Sequence, residues 1–506
     1  MPVPSDHIIH SGSGQLGRSR TSVDDAKRIA LQAWDYGLTK KGPIVMHFHG
    51  GLVNEKAARE GAERLYETYA TKAGAYPIFS VWEAGLIETL RNNWRDILQD
   101  PVFQELVKKV GEWVLREGAP EAGTKSAAGK AIDVDQYRQD FDAWFAGTSP
   151  QPPLVDSKPA AAIGLKNAEP DEEDLALKIE AELPNDPTFE MTIAGLAAAA
   201  ASTPGATTKG MTTTPRPISR VLVDDAALDQ LLPGGAASHG ITTKGVLSWV
   251  ATAKFIAKVV MAVTRRLISG RDHGVYVTVI EEVLRAAYLA KAGGIAWGQM
   301  KKDTADAFVG ETGAGNVILQ AWAGRIVKGE VPPRVVLVGH STGAVYIINW
   351  IRASAVVAPD LVYDIVLLAP ACVTDEFAKV MQEHAKAMSN VRIFAMQDEK
   401  ERDDVLVPIL YPRSLLYFVS GVVEAEVDAP LLGMQRFLKD KPFQDAKKFP
   451  AVDAVRQYLA AMASRGVWSI AAGAPGLGSA SVKHGDFDND AATLASVVSI
   501  IKSGYA

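Results

Sequence analysis

The run at residues 43–48 is apolar and rich in β-branched side chains, and it stops at His49-Gly50-Gly51-Leu52, which predicts a buried strand closed by a tight turn. Helical periodicity follows over 55–70, and 75–81 reads as a second strand. Over 86–115 the apolar positions Trp94, Ile97, Leu98, Val102, Leu106, Val110 and Trp113 form one helical stripe. From about 117 to 245 the pattern breaks. That stretch is rich in Pro, Thr and Ala, carries the acidic run Asp171-Glu172-Glu173-Asp174, and predicts irregular chain with short helices near 135–145, 175–182 and 197–201. An amphipathic helix is expected at 246–267, then helices at 275–297 and 316–327. Strands at 334–338, 364–368 and 391–396 then alternate with helices at 342–355 and 376–389, and a helix is expected at 491–502. Strands this apolar, separated by helices, predict an α/β protein with a mostly parallel central sheet and helices on both faces, interrupted by a large, mainly helical and partly irregular insertion. The expected parts are 1–116, an insertion or cap at 117–330, and 331–506.

Composition narrows the classes of function. The chain has 506 residues, 47% of them hydrophobic and 22% charged, which is ordinary for a globular protein. A formal charge of −6 leaves no basic excess for phosphate backbones, so nucleic acid is not an expected partner. Cys372, the single cysteine, cannot form an intramolecular disulfide, and the first residues lack a basic segment followed by an apolar one. A cytoplasmic location is the expectation.

The chemistry is carried by Gly339-His340-Ser341-Thr342-Gly343, a Gly-x-Ser-x-Gly pentapeptide. It follows a predicted buried strand and opens a predicted helix, the setting of a nucleophile elbow, in which both flanking glycines make room for a sharp turn. On these residues the chain resembles the α/β-hydrolase superfamily over 43–81 and 333–501, and not over most of the segment between. The resemblance implies a Ser-acid-His order along the chain. Ser341 is then the nucleophile and His484, in a late loop, its base; His384 falls inside a predicted helix and is set aside. The acid belongs after the strand at 391–396, where Asp398 is the first choice and Asp404 and Asp403 are the alternates. Amides of Thr342 and of Gly51, or next to it Gly50, are the expected oxyanion donors. His49 is expected to orient that loop.

Metal and cofactor sites are not expected. The spacing Asp486, Asp488, Asp490 departs from a calcium loop because Ala491 and Val497 stand where Gly and Glu are required. His47 and His49 lack the Asp of an HxHxD phosphoesterase pattern. Gly313-Ala314-Gly315 and the glycines of 473–478 do not match a dinucleotide fingerprint. The resulting expectation is an esterase- or lipase-like serine hydrolase acting on a small-molecule or lipid ester. An acyltransferase, a serine peptidase or an inactive binding protein on the same fold are the alternatives. Ser341 follows Gly51 by 290 residues, where two helices and a strand need only about 45, so the surplus forms the insertion. The apolar, partly cationic segment 246–267 favours long acyl chains and suggests a peripheral membrane contact.

Overall fold

Seven short segments rich in Val, Ile, Leu and aromatic residues pair into a single parallel sheet. They are β1 (Ile8–Ser11), β2 (Ile44–Phe48), β3 (Tyr76–Trp82), β4 (Val335–His340), β5 (Tyr363–Leu368), β6 (Met388–Met396) and β7 (Gly466–Ser469), in the spatial order β1-β3-β2-β4-β5-β6-β7. The structure, a computed structural model, describes residues 3–17, 20–51, 55–82, 93–94, 96–118, 134–150, 152–153, 169–201, 222–232, 249–408 and 410–505. The predicted turn residue Leu52 and part of the helix expected at 86–115 lie outside them.

Period-two alternation assigns the two faces of the sheet to different cores. Ile44, Met46 and Phe48 of β2 join Val335 and Leu337 of β4 and Ile365 and Leu367 of β5 in one core. The intervening Val45, Val336, Val338, Val366 and Leu368 join the other. Because both faces are buried, the strands read as unbroken apolar runs. The first core is covered by α1 (Val23–Lys40) and by helices that come later in the chain. The second is covered by α2 (Glu55–Tyr66), the helical turn at Glu67–Lys72 and the late helix at Ala491–Ser503. Neither β1 nor α1 was expected. The α1 stripe is built mainly from Ala26, Ile29, Ala30, Ala33 and Trp34, whose small alanines weaken the hydrophobic signal although they are fully buried.

Between β3 and β4 the named elements among the described residues are helices: α3 (Pro101–Gly118), α4 (Val134–Phe145), α5 (Glu172–Glu182), α6 (Pro187–Ala201), α7 (Asp225–Leu231), α8 (Trp249–Ile268), α9 (Val275–Ala287), α10 (Gly294–Asp306) and α11 (Ala314–Ile326). The single helix expected at 275–297 is two, parted around Gly293, whose φ of 100° a side chain resists. α10 and α11 lie on the insertion side of the boundary expected at 330. They nonetheless pack on α12 (Gly343–Val357), and α11 also packs on α1, so they belong to the layer that flanks the sheet. The apolar face of α8 is turned inward against α3, α5, α7 and α9, with Ile256, Val260 and Val263 fully buried, so this face is not offered to lipid. No helix among the described residues is long and apolar enough to cross a membrane.

A buried charge cluster ties this helical region to the chain after β6. His273 Nδ1 meets Glu281 Oε1 at 2.7 Å and its Nε2 meets Asp428 Oδ1 at 2.8 Å. Arg266 pairs with Glu281 and Glu282 at 2.7 and 3.0 Å, and Arg436 stands 3.6 Å from Asp428. Burial alone would raise the Glu281 carboxyl, but the neighbouring His273 and Arg266 bring it down to about 2.

Candidate active site

Strand order places the site. From β2 the chain steps to β3 on one side, and from β4 it steps to β5 on the other, so the order in which strands are added reverses between β2 and β4. The crevice at the carboxyl ends of two such strands is where ligands of open α/β sheets bind. Phe48 is paired with Gly339, so His49-Gly50-Gly51 leaves β2 beside the point where Ser341 leaves β4.

Ser341 holds φ at +54°, a left-handed conformation that a non-glycine residue adopts at a cost of about 1–2 kcal/mol. Its N–H donates to the Leu368 carbonyl at 2.8 Å, and its own carbonyl accepts from Ala344 and Ala371, so the turn is held from three sides. The glycines on either side are required by space. A methyl at Gly343 would overlap the Phe48 carbonyl oxygen, and one at Gly339 would stand 2.8 Å from the Gly343 carbonyl. α12 starts at Gly343, directly after the turn.

The loop after β2 is pinned by His49. Its Nδ1–H donates to the Gly50 carbonyl at 2.7 Å, and its Nε2 accepts from the Trp82 N–H at 3.2 Å, while the ring stacks on Trp82. Burial, opposed by these backbone contacts, lowers its pKa to about 4. Gly50 packs against Ser341, where an added methyl would lie 3.1 Å from Ser341 Cβ. The Gly51 N–H donates to Thr342 Oγ1 at 3.2 Å. The N–H groups of Gly50 and Thr342 make no hydrogen bond among the described residues.

His484 is 3% exposed and shares one cavity with Ser341. Its backbone is gripped on both sides: the N–H donates to Asp404 Oδ2 at 2.9 Å, and the carbonyl accepts from His340 Nε2 at 3.0 Å. Both ring nitrogens of His484 are buried without a hydrogen bond. Burial and the neighbouring His340 lower its pKa to about 3. The structure therefore brings Ser341 and His484 to one cavity, with no hydrogen bond yet joining them.

The three candidate acids separate. Asp398 opens α13 (Asp398–Asp403), accepts from the Tyr417 hydroxyl at 2.7 Å and pairs with Arg402 at 3.1 Å; it makes no hydrogen bond to His484. Asp403 is exposed. Asp404 alone of the three touches residue 484, and its own burial raises its carboxyl above the usual range.

Sequence reasoning passed over two other contributors. Asp488 stands 3.8 Å from His340 Nδ1, an ion pair longer than a hydrogen bond. Burial would raise the Asp488 carboxyl, but His340 draws it down to about 2, and burial of His340 is in turn outweighed so that its pKa is raised. The rings of His340 and His484 stack with centroids 5.5 Å apart. α2 is the second contributor, because its residues form a wall of the cavity. The signal for Asp488 was its position four residues after His484; the wall of α2 had none. His47, also on the cavity, is held by the Tyr69 hydroxyl at 3.2 Å, and burial lowers its pKa to about 3. Despite these histidines, no group of three or more His, Cys, Asp or Glu among the described residues is arranged to hold a metal ion. No family model, curated protein or solved structure matches the chain.

Proposed function

We propose that the protein is a serine ester hydrolase of the α/β-hydrolase type, working through Ser341, His484 and Asp404. The observation that carries this reading is Ser341 at positive φ between a buried parallel strand and a helix, in one cavity with His484. Such strain persists where the surrounding structure holds it, and it turns a serine toward substrate.

In this cycle His484 takes the proton of Ser341 Oγ as the oxygen bonds to the ester carbonyl carbon. The oxyanion is met by the N–H groups of Thr342 and of Gly50 or Gly51. The carbon–alkoxide bond then breaks and the alcohol leaves with the proton held by His484. Water, deprotonated by the same imidazole, cleaves the acyl-enzyme to acid and free serine. Asp404 orients the histidine and stabilises its cation. Asp404 is chosen because it alone of the three candidates meets residue 484, through the backbone N–H, and in this reading it turns to the ring, whose nitrogens have no hydrogen bond. Helices α3 to α9 form the insertion of this fold.

The test is covalent labelling by a fluorophosphonate. Wild-type protein is expected to gain the adduct on the Ser341 peptide, the Ser341→Ala protein none, and the His484→Ala protein at a rate at least about 100-fold lower. A folded wild type that stays unlabelled would instead favour an inactive binding protein, to which the ring nitrogens of His484, without a hydrogen bond, also point.

A further inference from the structure

The cavity at Ser341 limits what can be bound to it. It encloses about 180 Å³. An apolar cavity of about 150 Å³ holds a benzene-sized molecule, so there is room here for about six non-hydrogen atoms. Its floor is formed by buried residues, Ala58 and Leu65 of α2 with His47, Phe79 and Val81 from the strands. Its rim is polar and open, with Glu60, Arg64 and Asn489 exposed. No described residue of the 117–330 segment lines it.

The two halves of an ester would meet these walls differently. The alcohol must leave past His484, which protonates it, and His484 is followed by exposed Gly485 and lies near the rim residue Asn489. The acyl half, bonded to Ser341 Oγ, is left with the floor between α2 and the strands. We infer that the site takes short acyl groups, of about the size of acetyl to butanoyl, and excludes long acyl chains. This rests on the hydrolase reading above, and it replaces the lipid-like substrate expected from the apolar segment now buried as α8.

Two measurements test it. Across p-nitrophenyl acetate, butanoate and octanoate, kcat/KM is expected to be at least about tenfold higher for butanoate than for octanoate, and Leu65→Ala, which deepens the floor, should narrow that ratio. Equal or greater activity on octanoate overturns the inference. The second measurement needs no turnover. By saturation-transfer NMR on the Ser341→Ala protein, butanoate should receive magnetisation and lose it when Ala58→Leu fills the cavity. Absent transfer to butanoate, transfer unaffected by Ala58→Leu, or a stronger octanoate signal that Ala58→Leu abolishes would each overturn it. Failure of fluorophosphonate labelling with the butanoate result intact would refute the catalysis and leave the size limit standing.

Discussion

At the scale of single residues, the site is a set of groups whose backbones are fixed before their side chains are engaged. Asp404 and His340 hold residue 484 by its N–H and carbonyl, while the imidazole nitrogens make no hydrogen bond. The choice of acid is therefore open to a direct comparison. If the protein works as the proposed hydrolase, Asp404→Asn lowers kcat by about 10³–10⁴, as loss of the orienting carboxylate does in Ser-His-Asp triads, whereas Asp398→Asn costs less than about tenfold. Steady-state kinetics on the two purified variants decides it, and the opposite ranking would return the role to Asp398. The motif residues were legible because their chemistry depends on adjacency: a serine between two glycines at a strand end can be read from a short window. Which carboxylate meets residue 484 was not, because five carboxylates in 398–404 look alike until the loop is folded.

Among the elements, what the sequence conveys depends on how each is buried. Strands with two covered faces announce themselves as unbroken apolar runs, and β2, β4 and β5 were readable for that reason. β1 is four residues at the sheet edge and α1 shows a stripe of alanines, so neither rises above its surroundings. α8 misleads in the other direction. Its sequence shows an apolar face with lysines opposite, which suits a lipid surface as well as a protein core, and only the neighbours α3, α5, α7 and α9 decide between them. The cluster around His273 could not be foreseen, since Glu281 and Asp428 come together from distant parts of the chain. Asp428→Asn leaves His273 and Arg436 buried beside a neutral group and is expected to destabilise the fold by about 3–5 kcal/mol. Urea unfolding measures it, and a loss below about 1 kcal/mol would mean that the cluster does not hold the helices to the chain after β6.

For the molecule as a whole, burial of three neutral histidines ties stability to pH. His47 and His484 titrate at about 3 and His49 at about 4 in the fold, below the ordinary value of 6.5. Between those limits the unfolded chain binds protons that the folded chain refuses, so stability falls as pH drops below about 6.5. Glu281 and Asp488, each brought down to about 2, extend the loss below about pH 4.5. Glu401 acts in the opposite sense: burial raises it to about 8, so its contribution is present in acid and is lost as pH rises toward 8. Among these groups the balance near pH 5 is about two protons in favour of the unfolded chain, or roughly 2–3 kcal/mol of stability lost per pH unit. Urea midpoints that stay flat between pH 6.5 and 4.5 would contradict the neutral burial of these rings. The reversal between β2 and β4 also has a kinetic consequence. The strands that lead into Gly50-Gly51 and into Ser341 pair only after nearly 300 intervening residues have been made, and His484 comes later still. Contacts this distant in sequence close slowly, so during refolding helical signal should return well before any fluorophosphonate reactivity proposed for Ser341, which would be gained in one late step.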